Sequence, residues 1–112
     1  MIEKILQDYL TDTLSVPVRM EIPPNRPDSF IVLEKTGSGM ENHIFTATVI
    51  VQSYAKTLYA AAVLNEEVKG ALLYGNVPSQ ICKVKLNSDY NYTDPDLGNY
   101  RYQAVYDITH YR

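Results

Sequence analysis

The residues of this chain that could do covalent chemistry are few and far apart in the sequence. A cysteine nucleophile needs a base within reach, and the candidates are Cys82 with His43 or His110. Cys82 lies in the middle of an alternating strand pattern, so we expect a small buried hydrophobic side chain there. No CxxC or HxH spacing is present, and no carboxylate pair stands in a setting that would make it a general acid. The sequence therefore predicts no catalytic residue, no metal site, no cofactor and no enzyme activity.

Two further segments can be compared with ligand-binding motifs. The run 89–96 (DYNYTDPD) has oxygen ligands at alternate positions, as a calcium loop does, but it lacks the required glycine and the closing glutamate. A turn is the simpler interpretation, because Asp94 can accept a bond from the backbone ahead and Gly98 can adopt a positive φ. A cation site remains the alternative. The glycine-rich run 37–39 lacks the lysine and the helix of a phosphate-binding loop.

Tyrosine is the unusual residue of this composition. The chain has 10 tyrosines, 2 phenylalanines and no tryptophan, and most of the tyrosines follow residue 89. Interfaces between proteins are enriched in tyrosine and arginine, because both combine apolar area with a polar tip. We predict an interface formed by Gly37, Ser38, Gly39, Met40, Tyr90, Tyr92, Asp94, Asp96, Tyr100, Arg101 and Tyr102. The alternative is that the tyrosines form cross-strand pairs and cover sheet edges within one chain.

Length and composition limit the class of protein. The chain has 112 residues, is 46% hydrophobic and carries a net charge of −3. We expect one domain over 1–112, because no repeat or low-complexity stretch divides the chain. A single cysteine excludes an internal disulfide framework, and mild acidity without a basic block argues against nucleic acid as a direct ligand. No apolar run approaches the roughly 20 residues of a membrane span, and we expect neither a secretory signal nor a membrane partner.

Hydrophobic periodicity predicts two helices and five strands. Helices are predicted over 2–14 and 56–73, the second with a buried stripe made of Leu58, Ala61, Leu64, Asn65, Val68 and Leu72 and an end at Gly75 and Asn76. Strands are predicted over 16–22, 30–36, 43–55, 79–87 and 100–111. On the third strand the alternating set Phe45, Ala47, Val49, Val51 and Ser53 is predicted to face the core.

The connections complete the predicted fold. A flexible loop is expected over 37–42 and a polar loop over 88–99. The order α-β-β-β-α-β-β with short links indicates a single α+β domain, with a mainly antiparallel sheet of about five strands and both helices packed on one face.

Three stretches resemble one protein family. They are NRPDSFIVLEKTG (25–37), ATVIVQSYA (47–55) leading into an alanine-rich helix, and DPDLGNYRYQA (94–104). Together they resemble the tail terminator family, also called tail completion or tail-to-head joining proteins, of long-tailed non-contractile bacteriophages. The likeness spans nearly the whole chain in element order. Family members often have tryptophan at the position of Tyr54 and arginine at that of Lys35, which leaves the packing role intact and weakens any charge role.

The resemblance implies a structural role without catalysis. Subunits of this family form a ring, usually a hexamer, on the end of the tail tube, where they stop the addition of tube protein and provide a surface for the head–tail connector. The implied partners are therefore copies of the chain, the tail tube protein and the connector, with DNA only passing through the ring. The implied location is the virion tail, assembled in the cytoplasm of the bacterial host.

Several alternatives stay open at this point. The chain could be another head–tail connector, such as a head-closure protein, a small ligand-binding α+β domain, or a bacterial module derived from a prophage. One hypothesis concerns the segment 37–42 (GSGMEN), which we expect to be disordered in the free protein and to order against a neighbouring tail or head protein, with Met40 as an adaptable contact.

Overall fold

Two helices and five strands form along the chain in the predicted order. The computed structural model describes residues 1–96 and 98–111. The elements are α1 (Ile2–Thr13), β1 (Val18–Arg19), β2 (Phe30–Glu41), β3 (Ile44–Ala55), α2 (Leu58–Lys69), β4 (Ile81–Asn91) and β5 (Tyr100–His110). A single π-helical turn, Gly70–Tyr74, continues α2. The predicted α+β class is confirmed.

The strands form one sheet in the order β1-β2-β3-β5-β4. The pairs β2–β3, β3–β5 and β4–β5 are antiparallel, and the short β1 adds in parallel to the start of β2. This confirms the prediction of a mainly antiparallel sheet. The centre of the sheet is β3 and β5, which are paired on both sides, and both helices lie over one face.

The main core lies between the helices and that face. Its buried side chains come from α1 (Leu6, Leu10), α2 (Leu64, Val68) and the strands (Leu33, Val49, Val51, Ala104, Tyr106). The core-facing set predicted for β3 is confirmed, with Phe45 half-buried at its end. The predicted stripe of α2 holds except at Leu58, which is 40% exposed. Leu58 is the first residue of α2, directly after the N-cap Thr57, so it lies at the exposed end of the stripe.

The predicted strand over 16–22 is wrong beyond two residues. Only Val18–Arg19 pairs, with Ile31 and Val32 of β2. Met20 and Ile22, which continued the alternating pattern, are exposed. The proline-rich segment that follows, 23–27, contributes few backbone donors, so nothing extends the ladder along β2.

The predicted flexible loop over 37–42 is also wrong. Residues 37–41 pair with β3 from Gly37↔Thr48 to Glu41↔Ile44. A two-residue turn closes the hairpin, with positive φ at Asn42 (51°) and His43 (65°), as the favoured hairpin turns require. Glycine is depleted in strands, which is why the sequence indicated a loop. The hypothesis that this segment is disordered in the free protein is contradicted by its ladder of strand pairs.

Two bulges in β4 overturn the prediction for Cys82. The register shifts between Ile81 and Lys83 and again between Leu86 and Ser88. The first bulge leaves Cys82 without a cross-strand partner and exposes it, contrary to the buried position that we predicted. Strand β4 then continues to Asn91, so its last residues fall in the predicted polar loop over 88–99.

The sheet is longer than the helices that cover it. Strands of 12 residues span about 40 Å, whereas helices of 12 residues span about 18 Å. One end of the sheet therefore extends past α1 and forms an open, mainly apolar hollow of about 400 Å³ lined by Ile2, Ile5, Phe45 and His110.

Candidate functional site

The second face of the sheet carries the candidate site. We call it the helix-free face, because α1 and α2 both lie over the opposite face. Strand alternation and the cross-strand register assign its side chains. They are Phe30, Val32, Glu34, Gly37, Gly39 and Glu41 of β2, Ile44, Thr46, Thr48, Ile50, Gln52 and Tyr54 of β3, Arg101, Gln103, Val105, Asp107 and Thr109 of β5, and Lys83, Lys85, Ser88 and Tyr90 of β4.

One end of the helix-free face has a small apolar cluster of its own. Phe30, Val32 and Tyr54 are buried there, separately from the main core. Phe30 and Tyr54 are cross-strand partners, and their rings stack with centroids 4.5 Å apart and an interplanar angle of 7°. Stacked aromatic pairs add to the stability that burial alone provides. This cluster fixes the orientation of the Tyr54 ring, whose hydroxyl reaches the polar groups beside it.

A chain of hydrogen bonds crosses the face from β4 to β3 and back to β5. Gln103 Nε2 donates to the Tyr90 hydroxyl over 2.7 Å, and Gln52 Nε2 donates to Gln103 Oε1 over 2.8 Å. The Tyr54 hydroxyl donates to Gln52 Oε1 over 3.1 Å and accepts from Arg101 Nη1 over 2.9 Å. Because each group satisfies the next, the polar side chains hold one another in a single arrangement.

Arg101 ends this chain between two aromatic rings. Its Cζ atom lies 5.5 Å from the ring centroid of Tyr54 and 4.5 Å from that of Tyr92, and its Nε donates to the Tyr92 carbonyl over 2.7 Å. The rings of Tyr90 and Tyr92 meet edge to face at 5.8 Å. Among the residues that the structure describes, Arg101 makes no salt bridge with a carboxylate. Its charge is held in place by rings and neutral acceptors.

The other end of the helix-free face has a shallow hollow. It has a volume of about 410 Å³ and is lined by Gly37, Gly39, Thr46, Thr48 and Asp107. The Asp107 carboxylate accepts from Thr48 Oγ1 over 3.3 Å and from the side-chain amide of Asn87 over 3.1 Å. The hollow exists because the two glycines leave room that side chains would fill.

The structure brings together only part of the predicted interface set. Tyr90, Tyr92 and Arg101 meet at one end of the helix-free face, and Gly37 and Gly39 lie at its other end.

The remaining predicted residues lie elsewhere. Ser38, Met40, Tyr100 and Tyr102 alternate to the opposite face of the sheet. Asp94 and Asp96 lie in the turn between β4 and β5, where Asp94 Oδ1 accepts from the Asp96 amide over 3.0 Å.

That turn has the predicted geometry. Gly98 has φ +75°, and the Asp94–Asp96 bond is the local one that the sequence indicated. Leu97, which belongs to the same motif, lies outside the described residues. The turn interpretation of this segment is therefore confirmed in its described part.

Sequence reasoning missed the residues that organise the site. Gln103, Gln52 and Tyr54 join Tyr90 to Arg101, and Gln103 is 7% exposed. The available signal was a glutamine at an outward position in each of the two central strands. Only the register, which places Gln52 opposite Gln103, shows that the two side chains meet.

A second polar cluster lies under α2. The Asp89 carboxylate accepts from Asn65 Nδ2 over 2.9 Å and pairs with Lys69, whose ammonium also contacts Glu66 at 3.1 Å. The hydrogen bond to Asp89 is the main cause that raises the pKa of Lys69 above its usual value, against the opposing effect of burial. Burial, followed by the charges of Asp89 and Glu66, raises the pKa of the Tyr106 phenol. The arrangement joins α2 to the end of β4.

Neither cluster resembles a metal centre. Within 1–96 and 98–111, no group of three or more histidine, cysteine, aspartate or glutamate side chains is placed to hold a metal ion. In the same part of the chain, no helix has the length and apolar character needed to span a membrane.

Tyr106→Phe is expected to stabilise the protein by about 1 kcal/mol at pH 7, because the Tyr106 hydroxyl is buried and has no hydrogen-bond partner among the described residues. The advantage should grow above pH 10. A raised folded-state pKa keeps the proton on Tyr106, so the wild type loses stability as pH rises past the unfolded value, by up to about 1.4 kcal/mol per pH unit. Urea unfolding of both proteins at pH 7 and pH 10.5 measures this. A less stable variant, or a constant difference, would contradict it.

Comparison with known proteins finds a likeness in structure. No protein-family model and no curated protein sequence matches the chain. Among solved structures, the chain is similar to a chain of the "Virion of native gene transfer agent (GTA) particle", with a TM-score of 0.67 and 11% sequence identity. The match covers 97% of this chain and 96% of that chain. At this identity the likeness shows that the two chains share a fold over almost their whole lengths.

Proposed function

We propose that this protein is a structural component of a virion, and specifically a tail terminator. One domain over 1–112 forms a subunit of a ring, a hexamer, that sits on the end of the tail tube. The ring stops the addition of tube protein and offers a surface to the head–tail connector. The protein is not an enzyme and needs no cofactor. It is assembled in the cytoplasm of the bacterial host, and DNA passes through the ring without being a ligand.

The observation that carries this proposal is the shared fold. A chain from a virion particle matches 97% of this chain. The resemblance of the stretches 25–37, 47–55 and 94–104 to tail terminators supports the more specific role.

The helix-free face supports a role in binding other proteins. Tyr90 and Tyr92 are 41% and 51% exposed, and they lie beside an arginine that internal contacts hold in place. Ordered aromatic and arginine side chains are typical of the residues that dominate binding energy in protein interfaces. Because these groups are already positioned, little side-chain entropy is lost when a partner binds.

A capping experiment tests the proposal. Purified protein is added to growing tubes of the tail tube protein, and tube length and end structure are followed by electron microscopy. We expect rings at tube ends and arrested growth. A Tyr92→Ala/Arg101→Ala variant should need at least a tenfold higher concentration for half-maximal capping, because two contacts of the face are lost.

The matched control is Tyr74→Ala. Tyr74 is 87% exposed but lies in the π-helical turn, away from the helix-free face, so capping should be unchanged. Tubes that grow unchecked in saturating wild-type protein would contradict the proposed function. Binding to portal complexes instead of tubes would identify a head-closure protein.

A further inference from the structure

We propose that neighbouring copies join through α2 of one copy and the helix-free face of the next. This inference rests on the proposed function and adds the contact that builds the ring. The helical side of the contact is the exposed stripe of α2, formed by Tyr59, Val63, Glu66 and Glu67. The partners are thus two copies of one chain. In a single subunit both surfaces remain accessible to a partner.

The exposed stripe lies on the side of α2 that points away from the sheet. The helix buries Ala61, Leu64, Asn65 and Val68 against the core, and residues 59, 63, 66 and 67 fall on the opposite side at helical spacing. Tyr59 is 81% exposed and Val63 is 37% exposed. The stripe is therefore apolar towards the start of the helix and acidic towards its end.

The helix-free face has the matching character. Its middle row places Ile50 beside Val105, both half-buried. Three cations, Arg101, Lys83 and Lys85, lie on its β5 and β4 strands, and none of them makes a salt bridge within the described chain. The acidic end of α2 can thus lie over the cationic strands while its apolar residues lie over the apolar row.

Charge within each surface favours the same contact. In the described chain Glu67 makes no salt bridge, and Glu66 pairs only with Lys69 on its own helix. Of the acidic residues on the helix-free face, Asp107 already accepts hydrogen bonds from Thr48 and Asn87. Glu34 and Glu41 lie on β2, which two strands separate from the lysines of β4. The contact therefore brings acidic groups to Arg101 and Lys83, which lie opposite uncharged residues in the register, and to Lys85, which lies opposite Asp107.

Layer geometry gives a physical reason for a helix in this position. A sheet with helices on only one face is completed by a helix on the other face, as in three-layer α/β folds. Helix α2 is about 18 Å long and 10 Å wide, so it covers only a few hundred Å² of that face. This is below the roughly 800 Å² per partner of a stable complex. The free protein is expected to be largely monomeric and to associate on the tube end, which holds the copies close together.

The positions of the two surfaces determine how copies are arranged. The α2 stripe and the helix-free face lie on opposite sides of one molecule, so a contact between them cannot be two-fold symmetric. It repeats from copy to copy in one direction, and it ends only where the rotation closes a ring. The contact thus accounts for a ring of identical subunits with a single kind of interface.

Cross-linking tests this contact directly. In a Cys82→Ser background, which removes the one native cysteine, Val63→Cys and Ile50→Cys are introduced singly and together. The proteins are treated with a short bismaleimide, both on capped tubes and free at high concentration. We expect the double variant to give a ladder of covalent oligomers. A single cysteine can link two copies at most, and here each single variant should stay monomeric. A Tyr74→Cys/Ile50→Cys pair should give no ladder.

Charge reversal provides a second measurement on exposed residues that folding does not need. Glu67→Lys and Lys83→Glu should each raise the concentration for half-maximal capping at least tenfold, and the combined variant should recover most of the loss. Lys83 lies opposite Thr109, so its reversal brings no two carboxylates together across the strands. Wild-type capping without a ladder, together with reversals that have no effect, would overturn this contact and leave the proposed function standing. A ladder from the free protein without capping would support the contact and contradict the proposed function.

Discussion

Tyr54→Ala is expected to lower the free energy of unfolding by about 4 kcal/mol, as removal of a buried aromatic side chain commonly does. Tyr54 is 1% exposed, and its ring stacks on Phe30 at 4.5 Å. Its hydroxyl also joins Gln52 to Arg101. The substitution would therefore empty the apolar cluster of the helix-free face and break the hydrogen-bond chain across it. Urea unfolding followed by circular dichroism measures the loss.

Tyr54→Phe separates the two contributions. It keeps the ring and the stack but removes the hydroxyl, so we expect a loss of about 1–2 kcal/mol. Arg101 would also lose one of the contacts that position it, so capping should weaken although the protein stays folded. If the phenylalanine variant were as unstable as the alanine variant, ring packing would not be the main contribution. If alanine cost less than 1 kcal/mol, the cluster would not be the closely packed unit described.

The importance of Tyr54 illustrates which features a sequence can show. Alternation along β3 identified the core-facing residues, because a strand buried on one face repeats with period two. The same alternation placed Gln52 and other residues of β3 on the outward face. It did not show which residues of the neighbouring strands they contact. Those partners depend on which residues of β5 lie opposite, and register is set by contacts between distant parts of the chain.

Insertions of one residue had the largest effect on the predicted burial. The bulge at Cys82 places Ile81 and Val84 on the same face of the sheet. In a regular strand, residues three positions apart point to opposite faces. Nothing local in the sequence marks that insertion. Gly37 and Gly39 caused a different error, because their weak strand propensity led to the prediction of a loop. In the structure, eleven cross-strand pairs along one hairpin override that propensity.

The tyrosine-rich end of the chain was only partly predictable. Composition identified the right neighbourhood, because Tyr90, Tyr92 and Arg101 meet there. It could not separate Arg101 from Tyr100 and Tyr102, which are its neighbours in sequence but point to the opposite face of β5. Residues 88–91 were expected in a loop, so the alternation that separates the two faces was not extended to the last residues of β4.

The second large loss of stability is expected from substitution of Gly75, the glycine that follows the π-helical turn after α2. Helices often end at a glycine with positive φ, but Gly75 has φ −83° and ψ 178°, a conformation open to any residue. Its constraint is steric instead. A Cβ atom at Gly75 would lie 2.4 Å from the Ala71 carbonyl oxygen and 2.5 Å from the Tyr9 hydroxyl. Those two atoms are joined by a 2.7 Å hydrogen bond that ties α1 to the π-helical turn.

Gly75→Ala should therefore destabilise the protein by about 3 kcal/mol, because the added methyl group must displace backbone as well as the Tyr9 ring. Gly70→Ala is the matched control. Gly70 has helical angles and open space around its Cβ position, so alanine there should stabilise by about 0.5–1 kcal/mol. Adding Tyr9→Phe to Gly75→Ala should recover only part of the loss, since the clash with the Ala71 carbonyl remains. Equal stability of the two alanine variants in urea unfolding would show that α1 does not approach the turn this closely.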